Sequence, residues 1–183
     1  MQIITENPPK NVMAIGKFES MHLGHQKLIH KAKEKAAELG LPTVLLSFVP
    51  HPFTVLGDRD YVPLFTTEEV VRLVRRMCPV DYLLQYPFTQ EFSKLEPQEF
   101  CQILFAKLGV KALFVGQGYR FGAERAGSVD LLVSEAKRFG ASVSVVETEK
   151  LGEAQISTSR IRRLIGEGNF SEASKLLGFA YPL

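Results

Sequence analysis

Residues 12–40, VMAIGKFESMHLGHQKLIHKAKEKAAELG, place an apolar run, a loop with two histidines and a helical pattern in direct succession. The run Val12–Gly16 predicts a strand. His25–Leu39 carries apolar residues at helical spacing and is followed by Gly40, a typical helix stop, so it predicts a helix. A strand that leads at once into a helix is the repeating unit of α/β proteins.

The same alternation continues along the chain. The segment Thr43–Phe48 is apolar throughout, as expected of a parallel strand covered on both faces. Further strands are predicted at 81–86, 111–115 and 142–147, and further helices at 66–77, 97–108, 128–139, 158–167 and 170–177. The stretch 51–65, with a Gly57–Asp58 turn, is predicted to be irregular. Five strands alternating with helices predict an α/β fold with a five-stranded, mostly parallel sheet between helices.

Composition narrows the class of protein. The 183 residues suit one domain, and a formal net charge of +2 is too small to indicate a nucleic-acid surface. Cys78 and Cys101 lack CxxC spacing and predict reduced thiols. The sequence shows neither a signal-peptide pattern nor an apolar stretch near the ~20 residues that cross a bilayer. We therefore expect a cytoplasmic protein without a membrane or nucleic-acid partner.

His22 and His25 lie where the first strand gives way to the first helix, and three interpretations are open. Free backbone N–H groups and the helix dipole favour an anion there, and Gly24 would let a phosphate approach the backbone. A zinc site would need more ligands, and the other histidines are His30 and His51. The third interpretation is that both side chains are structural.

Loops after the first, second and fourth predicted strands leave carboxyl ends, so we expect them to lie near one another. Val115–Gly122, VGQGYRFG, resembles a dinucleotide fingerprint but has Phe121 where GxGxxG requires glycine. The proline-containing loop Phe48–Phe53 is ambiguous between ligand binding and packing. Near the end, Ile156–Arg163, ISTSRIRR, offers hydroxyl and guanidinium groups at a helix start, which suits either phosphate binding or an ordinary capped helix.

Together these motifs resemble the HxGH nucleotidylyltransferase superfamily, and more closely the FMN adenylyltransferase module of bacterial FAD synthetases, the bifunctional riboflavin kinase/FMN adenylyltransferases. The motifs stand in the family's order as GKFESMHLGHQKLI, SFVPHP, FTQEFSKLEPQEF, VGQGYRFG and ISTSRIRRLIGEGNFSEASKLLGFAY. The resemblance implies a Rossmann-like nucleotidylyltransferase fold. It also implies a single adenylyltransferase domain over residues 1–183, with a helical tail from about 157 and no riboflavin kinase domain in these residues.

The resemblance further implies a reaction in which FMN attacks the α-phosphorus of ATP, giving FAD and pyrophosphate. ATP and FMN are then the partners, and Mg²⁺ arrives with ATP, so no protein metal site is expected. The catalytic residues implied are His22, His25 and Arg162. The ATP-binding residues implied are Gly16, Phe18, Gly24, Ser157, Thr158, Ser159 and Arg160. The flavin-binding residues implied are His51, Phe53, Gly118, Tyr119 and Phe121.

The chain departs from the family's usual residues at Glu19–Ser20, Val49, Gly118 and Leu177–Tyr181. These departures predict slow turnover or a changed acceptor. Two other functions therefore stay open from the sequence: transfer to another phosphorylated acceptor, and binding of flavin or nucleotide without turnover. The kinase domain of the bifunctional enzymes is either absent from this protein or lies outside these 183 residues.

Overall fold

A sheet of six parallel strands is the centre of the computed structural model, which describes residues 1–57 and 61–182. The strands are β1 (Gln2–Ile4), β2 (Asn11–Ile15), β3 (Thr43–Val49), β4 (Tyr82–Pro87), β5 (Val110–Gly116) and β6 (Ser142–Val146). Their order is β1-β4-β3-β2-β5-β6, and every neighbouring pair is parallel. An antiparallel hairpin of β7 (Lys150–Leu151) and β8 (Ala154–Gln155) follows the sheet.

Helices fill the connections between strands. They are α1 (Leu23–Leu39), α2 (Pro52–Val55), α3 (Thr67–Met77), α4 (Gln90–Ser93), α5 (Pro97–Gln102), α6 (Val129–Arg138), α7 (Thr158–Gly166) and α8 (Phe170–Leu177). A π-helical segment, Ile103–Lys107, extends α5, and a 3₁₀ turn spans Ala123–Arg125. The capping box of Thr66 and Glu69 opens α3 as predicted, and Gly40 ends α1 in the left-handed region.

Both faces of the sheet are covered, because successive strand residues point to opposite sides. In β2, Val12 and Ala14 belong to a core shared with α1, α3, α7 and α8. Met13 and Ile15 belong to a second core shared with α5 and α6. Every residue of β2 is buried, which explains the apolar run Val12–Ile15, and the buried side-chain amide of Asn11 donates to the carbonyl groups of Pro9 and Leu108.

The α/β fold with helices on both faces is confirmed, but the predicted count of five strands is wrong. The additional strand β1 pairs with the edge of β4 from Gln2–Tyr82 to Ile4–Leu84. Three residues are too few to show an alternating pattern, so sequence periodicity gives no sign of this strand. The stretch predicted as irregular also contains helix α2, and Asp58 of its predicted turn lies outside the described residues.

The strand order reverses at β2. The chain adds β3 and β4 on one side of β2 and then crosses to β5 on the other side. In open α/β sheets, ligands bind outside the carboxyl ends of the strands at such a reversal. The loop after β2, residues 16–22, begins at this point. Within the described ranges, no helix combines the length and apolar character needed to span a membrane.

Candidate active site

His22 and His25 form a stacked pair at the amino end of α1. His22 is the N-cap of the helix, and its Nδ1 accepts the backbone N–H of His25 at 3.2 Å. The two imidazole rings lie 3.7 Å apart and nearly parallel, at 8°. His22 is 8% exposed, so its ring is part of the packed interior. The pair is built into the fold and still borders the loop after β2.

Both imidazoles are held neutral. Burial lowers the pKa of His22 to about 4, and burial with the neighbouring His22 keeps the pKa of His25 well below its usual range. Since Nδ1 of His22 accepts a hydrogen bond, the neutral ring carries its proton on Nε2 and can donate there. Nδ1 of His25 is buried without a hydrogen-bond partner among the described residues. The pair therefore offers neutral hydrogen-bonding groups, not cations.

Two glycines pack closely against these rings. A Cβ added to Gly24 would lie 3.1 Å from Cε1 of His22, and one added to Gly16 would lie 3.1 Å from Cζ of Phe18. Phe18 is 0% exposed, and its ring lies 5.2 Å from that of His25. We therefore assign Phe18 to support of the histidine pair from within the core, although the sequence predicted contact with ATP. The ATP roles of Gly16 and Gly24 stay predictions.

The hydroxyl groups of the ISTSRIRR segment take different positions. Ser157 caps α7, because its Oγ accepts the backbone N–H of Arg160 at 3.3 Å. Oγ1 of Thr158 lies 2.9 Å from Oγ of Ser20, so α7 is bonded to the loop after β2. Ser159 is exposed in the first turn of α7. The segment thus begins next to the loop after β2.

Arg160, predicted to bind ATP, and Arg162, predicted to be catalytic, both donate hydrogen bonds to protein groups. Arg160 donates from Nη1 to two carbonyl groups of strand β8, at 3.1 Å and 3.3 Å, and so points toward the hairpin. Arg162 pairs with Glu19 and donates to the carbonyl of Val62. Arg162 consequently lies against the loop after β2. In the described residues, no group of three or more His, Cys, Asp and Glu side chains could hold a metal ion.

The loop after β3 brings His51 and Phe53 together with Tyr61. Nδ1 of His51 accepts the N–H of Phe53 at 3.3 Å, and the imidazole stacks on Tyr61 at 4.5 Å and 14°. Burial, and then the charges of Lys17 and Arg162, lower the pKa of His51 to about 4. Nζ of Lys17 lies 3.7 Å from the centre of the Phe53 ring. This loop therefore contacts the loop after β2, as the fold prediction required.

The three flavin residues predicted in the loop after β5 lie in different environments. Gly118 has φ +75° in a turn closed by the Tyr119 N–H and the Gly116 carbonyl at 3.1 Å, with nothing within 4 Å of an added Cβ. Tyr119 is half-buried and stacks on Phe121 at 5.9 Å. Phe121 is 6% exposed and packs on Phe100 at 5.4 Å. Gly118 and Tyr119 can meet a ligand, whereas we assign Phe121 to the core.

A patch of half-buried aromatic rings next to these loops was missed by the sequence prediction. Phe48 at the end of β3 lies 5.4 Å from Phe88 and 5.6 Å from Phe92, and Tyr86 lies 5.3 Å from Phe92. Phe92 continues the contacts to Phe100 at 5.9 Å. The available signal was FTQEF, in which two phenylalanines stand four apart, the spacing of one helical face.

The chain is similar to proteins of one family over nearly all its length. The sequence profile described as FAD synthetase matches residues 4–160. A bifunctional riboflavin kinase/FMN adenylyltransferase of Listeria monocytogenes is 37% identical over 172 residues, which are 93% of this chain and 54% of that protein. The Escherichia coli K12 protein of the same name is 32% identical over 174 residues, 94% of this chain and 55% of that protein. An FAD synthetase of L. monocytogenes is 31% identical, with coverage of 91% and 68%.

The chain thus spans about half the length of the bifunctional relatives it matches. Solved structures with this fold include the following two. A macrolide-efflux protein from Streptococcus pneumoniae superposes with a TM-score of 0.80 at 28% identity, covering 97% of this chain and 61% of that one. A pantoate-β-alanine ligase from Francisella tularensis superposes with a TM-score of 0.60 at 16% identity, covering 90% and 73%, a likeness that concerns the fold alone.

Proposed function

Because this chain belongs to the FAD synthetase family, we propose that it transfers the adenylyl group of ATP to FMN. A phosphate oxygen of FMN attacks the α-phosphorus of ATP and forms a new P–O bond. The bond from the α-phosphorus to the oxygen that bridges to the β-phosphorus breaks, and pyrophosphate leaves with that oxygen. The products are FAD and pyrophosphate. The kinase activity in the names of the bifunctional relatives is not part of this proposal.

The observation that carries the proposal is the stacked pair His22–His25 at the amino end of α1, where the strand order reverses. Such a transfer needs no protein nucleophile, because alignment and stabilisation of the charge on the leaving group lower the barrier. Nε2–H of His22 is oriented by the bond at its Nδ1, and the first N–H groups of α1 lie beside it. Preorganised donors of this kind suit the triphosphate of ATP.

Helix α7 supplies the second set of groups for ATP in this proposal. Thr158 is bonded to the loop after β2, and Ser159 is exposed one residue later. Arg162 lies on the same helix and carries a permanent charge. We assign Arg162 to the phosphates and retain Ser157 and Arg160 as residues that shape the start of α7. Magnesium enters the proposal as MgATP, bound to the phosphates of the substrate.

Flavin binding is assigned to the aromatic groups between the loops after β3 and β5. The rings of His51 and Phe53 lie 5.2 Å apart on one loop. From the end of β3, ring contacts run from Phe48 to Tyr119 by way of Phe92, Phe100 and Phe121. Aromatic rings that are partly buried offer a planar ligand both apolar area and stacking partners. A cytoplasmic location completes the proposal, and the buried free thiols of Cys78 and Cys101 agree with it.

The proposal is tested by incubating the purified chain with ATP, MgCl₂ and FMN while FAD and pyrophosphate are quantified. We expect both products to form in equal amounts. Phosphopantetheine and a sugar phosphate, each offered in place of FMN, should give no pyrophosphate. Turnover with one of these acceptors but not with FMN would contradict the proposed acceptor. Binding of FMN and ATP without any product would contradict catalysis and favour a binding protein.

A further inference from the structure

Glu19 connects three segments that are far apart in sequence. The residue is 7% exposed, and its Oε1 accepts the backbone N–H of Leu64 at 3.1 Å. The same oxygen pairs with Nη2 of Arg162. Arg162 donates its Nη1 to the carbonyl of Val62, and its guanidinium carbon lies 5.7 Å from the centre of the Tyr61 ring. The loop after β2, the segment 61–64 and helix α7 therefore meet at one carboxylate.

The next residue makes a second connection to the same helix. Ser20 is 0% exposed, and its hydroxyl lies 2.9 Å from that of Thr158. Thr158 and Arg162 are four residues apart and so share one face of α7. Glu19 and Ser20 are thus hydrogen-bonded to successive turns on one face of α7. These two bonds fix the rotation of the helix about its axis.

The negative charge of the buried Glu19 carboxylate stabilises the position of the Arg162 guanidinium. A carboxylate removed from water needs partners, and Glu19 has the guanidinium of Arg162 as an ion-pair partner besides the N–H of Leu64. A guanidinium group has five N–H donors in a rigid plane. The bonds to Glu19 and Val62 use one donor on each terminal nitrogen, which leaves further donors for an anion. The Arg162 side chain is 37% exposed, so an anion can approach it.

We propose that Glu19 is a positioning residue for ATP, holding the guanidinium of Arg162 and the segment 61–64 in the arrangement that receives the polyphosphate. This inference rests on the proposed function, in which Arg162 contacts the phosphates. Glu19 acts through Arg162 and not by touching ATP, because a carboxylate repels phosphate. It also gives the departure at Glu19–Ser20 a specific role in this chain.

The test combines Glu19→Gln with Arg162→Ala, singly and together. ATP is titrated calorimetrically into the protein without FMN, and KM and kcat are measured with both substrates. Glu19→Gln should weaken ATP binding and raise KM for ATP by about tenfold, while kcat and KM for FMN change less than about twofold. When Arg162 is already alanine, Glu19→Gln should weaken ATP binding further by less than about twofold. Glu38→Gln, which removes a surface ion pair with Lys35, is the matched control and should match the wild type.

Unchanged ATP affinity in Glu19→Gln overturns the inference. If Glu19→Gln lowers the ATP affinity equally in the wild type and in Arg162→Ala, the inference is also overturned, because Glu19 would then act without Arg162. If Glu19→Gln does not fold, Glu19→Asp takes its place, since it keeps the charge but is too short to hold both partners; it should show a smaller loss in the same direction. A wild-type chain that binds ATP but forms no FAD refutes the proposed function, and the binding comparison still decides the role of Glu19.

Discussion

Replacing His22 by alanine and by serine separates the two tasks that we assign to this side chain. Its Nδ1 caps α1 through the N–H of His25, and its Nε2 is proposed to donate to the triphosphate. Serine is a favoured N-cap, but its short hydroxyl group does not reach the position of Nε2. Alanine supplies neither group. The two variants lose the same ring and differ by one hydroxyl, so they form a matched pair.

The expected magnitudes follow from these contacts. Restoring the cap should make the serine variant more stable than the alanine variant by about 1 kcal/mol. For a chain of this length, that difference separates the two melting temperatures by about 2–4 °C. Both variants should melt below the wild type, because both lose a ring that is 8% exposed and stacked on His25. Both should lose about 10²–10³ in kcat, the usual effect of removing a preorganised donor.

Thermal unfolding followed by circular dichroism, and initial rates of FAD formation at saturating ATP and FMN, measure both effects. Serine restoring activity together with stability would show that His22 acts only through the cap. Equal stability of the two variants would refute the cap, and wild-type kcat in both would refute the donor role.

Three further predictions concern the flavin side and the response to acid. Gly118→Asn should fold, because asparagine tolerates the φ of +75° better than most residues. It should raise kcat/KM for FMN about tenfold by adding a hydrogen-bonding group, and Gly118→Ala, which adds no such group, is the control. A fall in kcat/KM of Gly118→Asn with the fold intact would refute the flavin-binding role of this position. Lowering the pH should destabilise the chain. The pKa values of His22 and His51 are about 4 in the folded state and about 6.5 when unfolded, so the unfolded chain binds more protons between these values. The free energy of unfolding should therefore fall as the pH drops from about 6.5 to about 4, by about 1–2 kcal/mol at pH 5 for His22 alone. Urea unfolding of the wild type and of His22→Ser at pH 7 and pH 5 measures this change in the free energy of unfolding. The same change between the two pH values in both proteins would contradict the prediction. Phe121→Ala should cost about 3–5 kcal/mol of stability, whereas Tyr119→Ala should mainly raise KM for FMN; the reverse pattern in denaturant melts and kinetics contradicts our assignment of the two rings.

Much of the fold could be predicted because local patterns determine it. The apolar run of β3 and the periodicity of α1 identify both elements to within two residues, and the capping box locates the start of α3. Strand β1 could not be found in this way, since its three residues become a strand only by pairing with β4. Tertiary contacts decide such short elements.

The candidate site was predicted by its motifs but not by its contacts. HxGH and ISTSRIRR identify two segments that do lie side by side. The sequence does not show that His22 is nearly buried or that Arg160 points toward the hairpin, because both depend on which segments the topology brings together. The sequence also does not show that Glu19 contacts Leu64 and Arg162, because both are far from it along the chain.

The hydrogen bonds between the loop after β2 and helix α7 can form only late in the synthesis of the chain. They join residues that are 138 and 143 positions apart in the chain. A ribosome releases the amino-terminal part first and adds about 5–20 residues per second, so the first loop waits about 7–30 s for its partners. We expect a nascent chain stalled before Thr158 to pass through an ATP-agarose column, and the released chain to be retained. If ATP binds as proposed, we expect it to act as a late folding ligand that stabilises the contacts of α7 with the loop after β2.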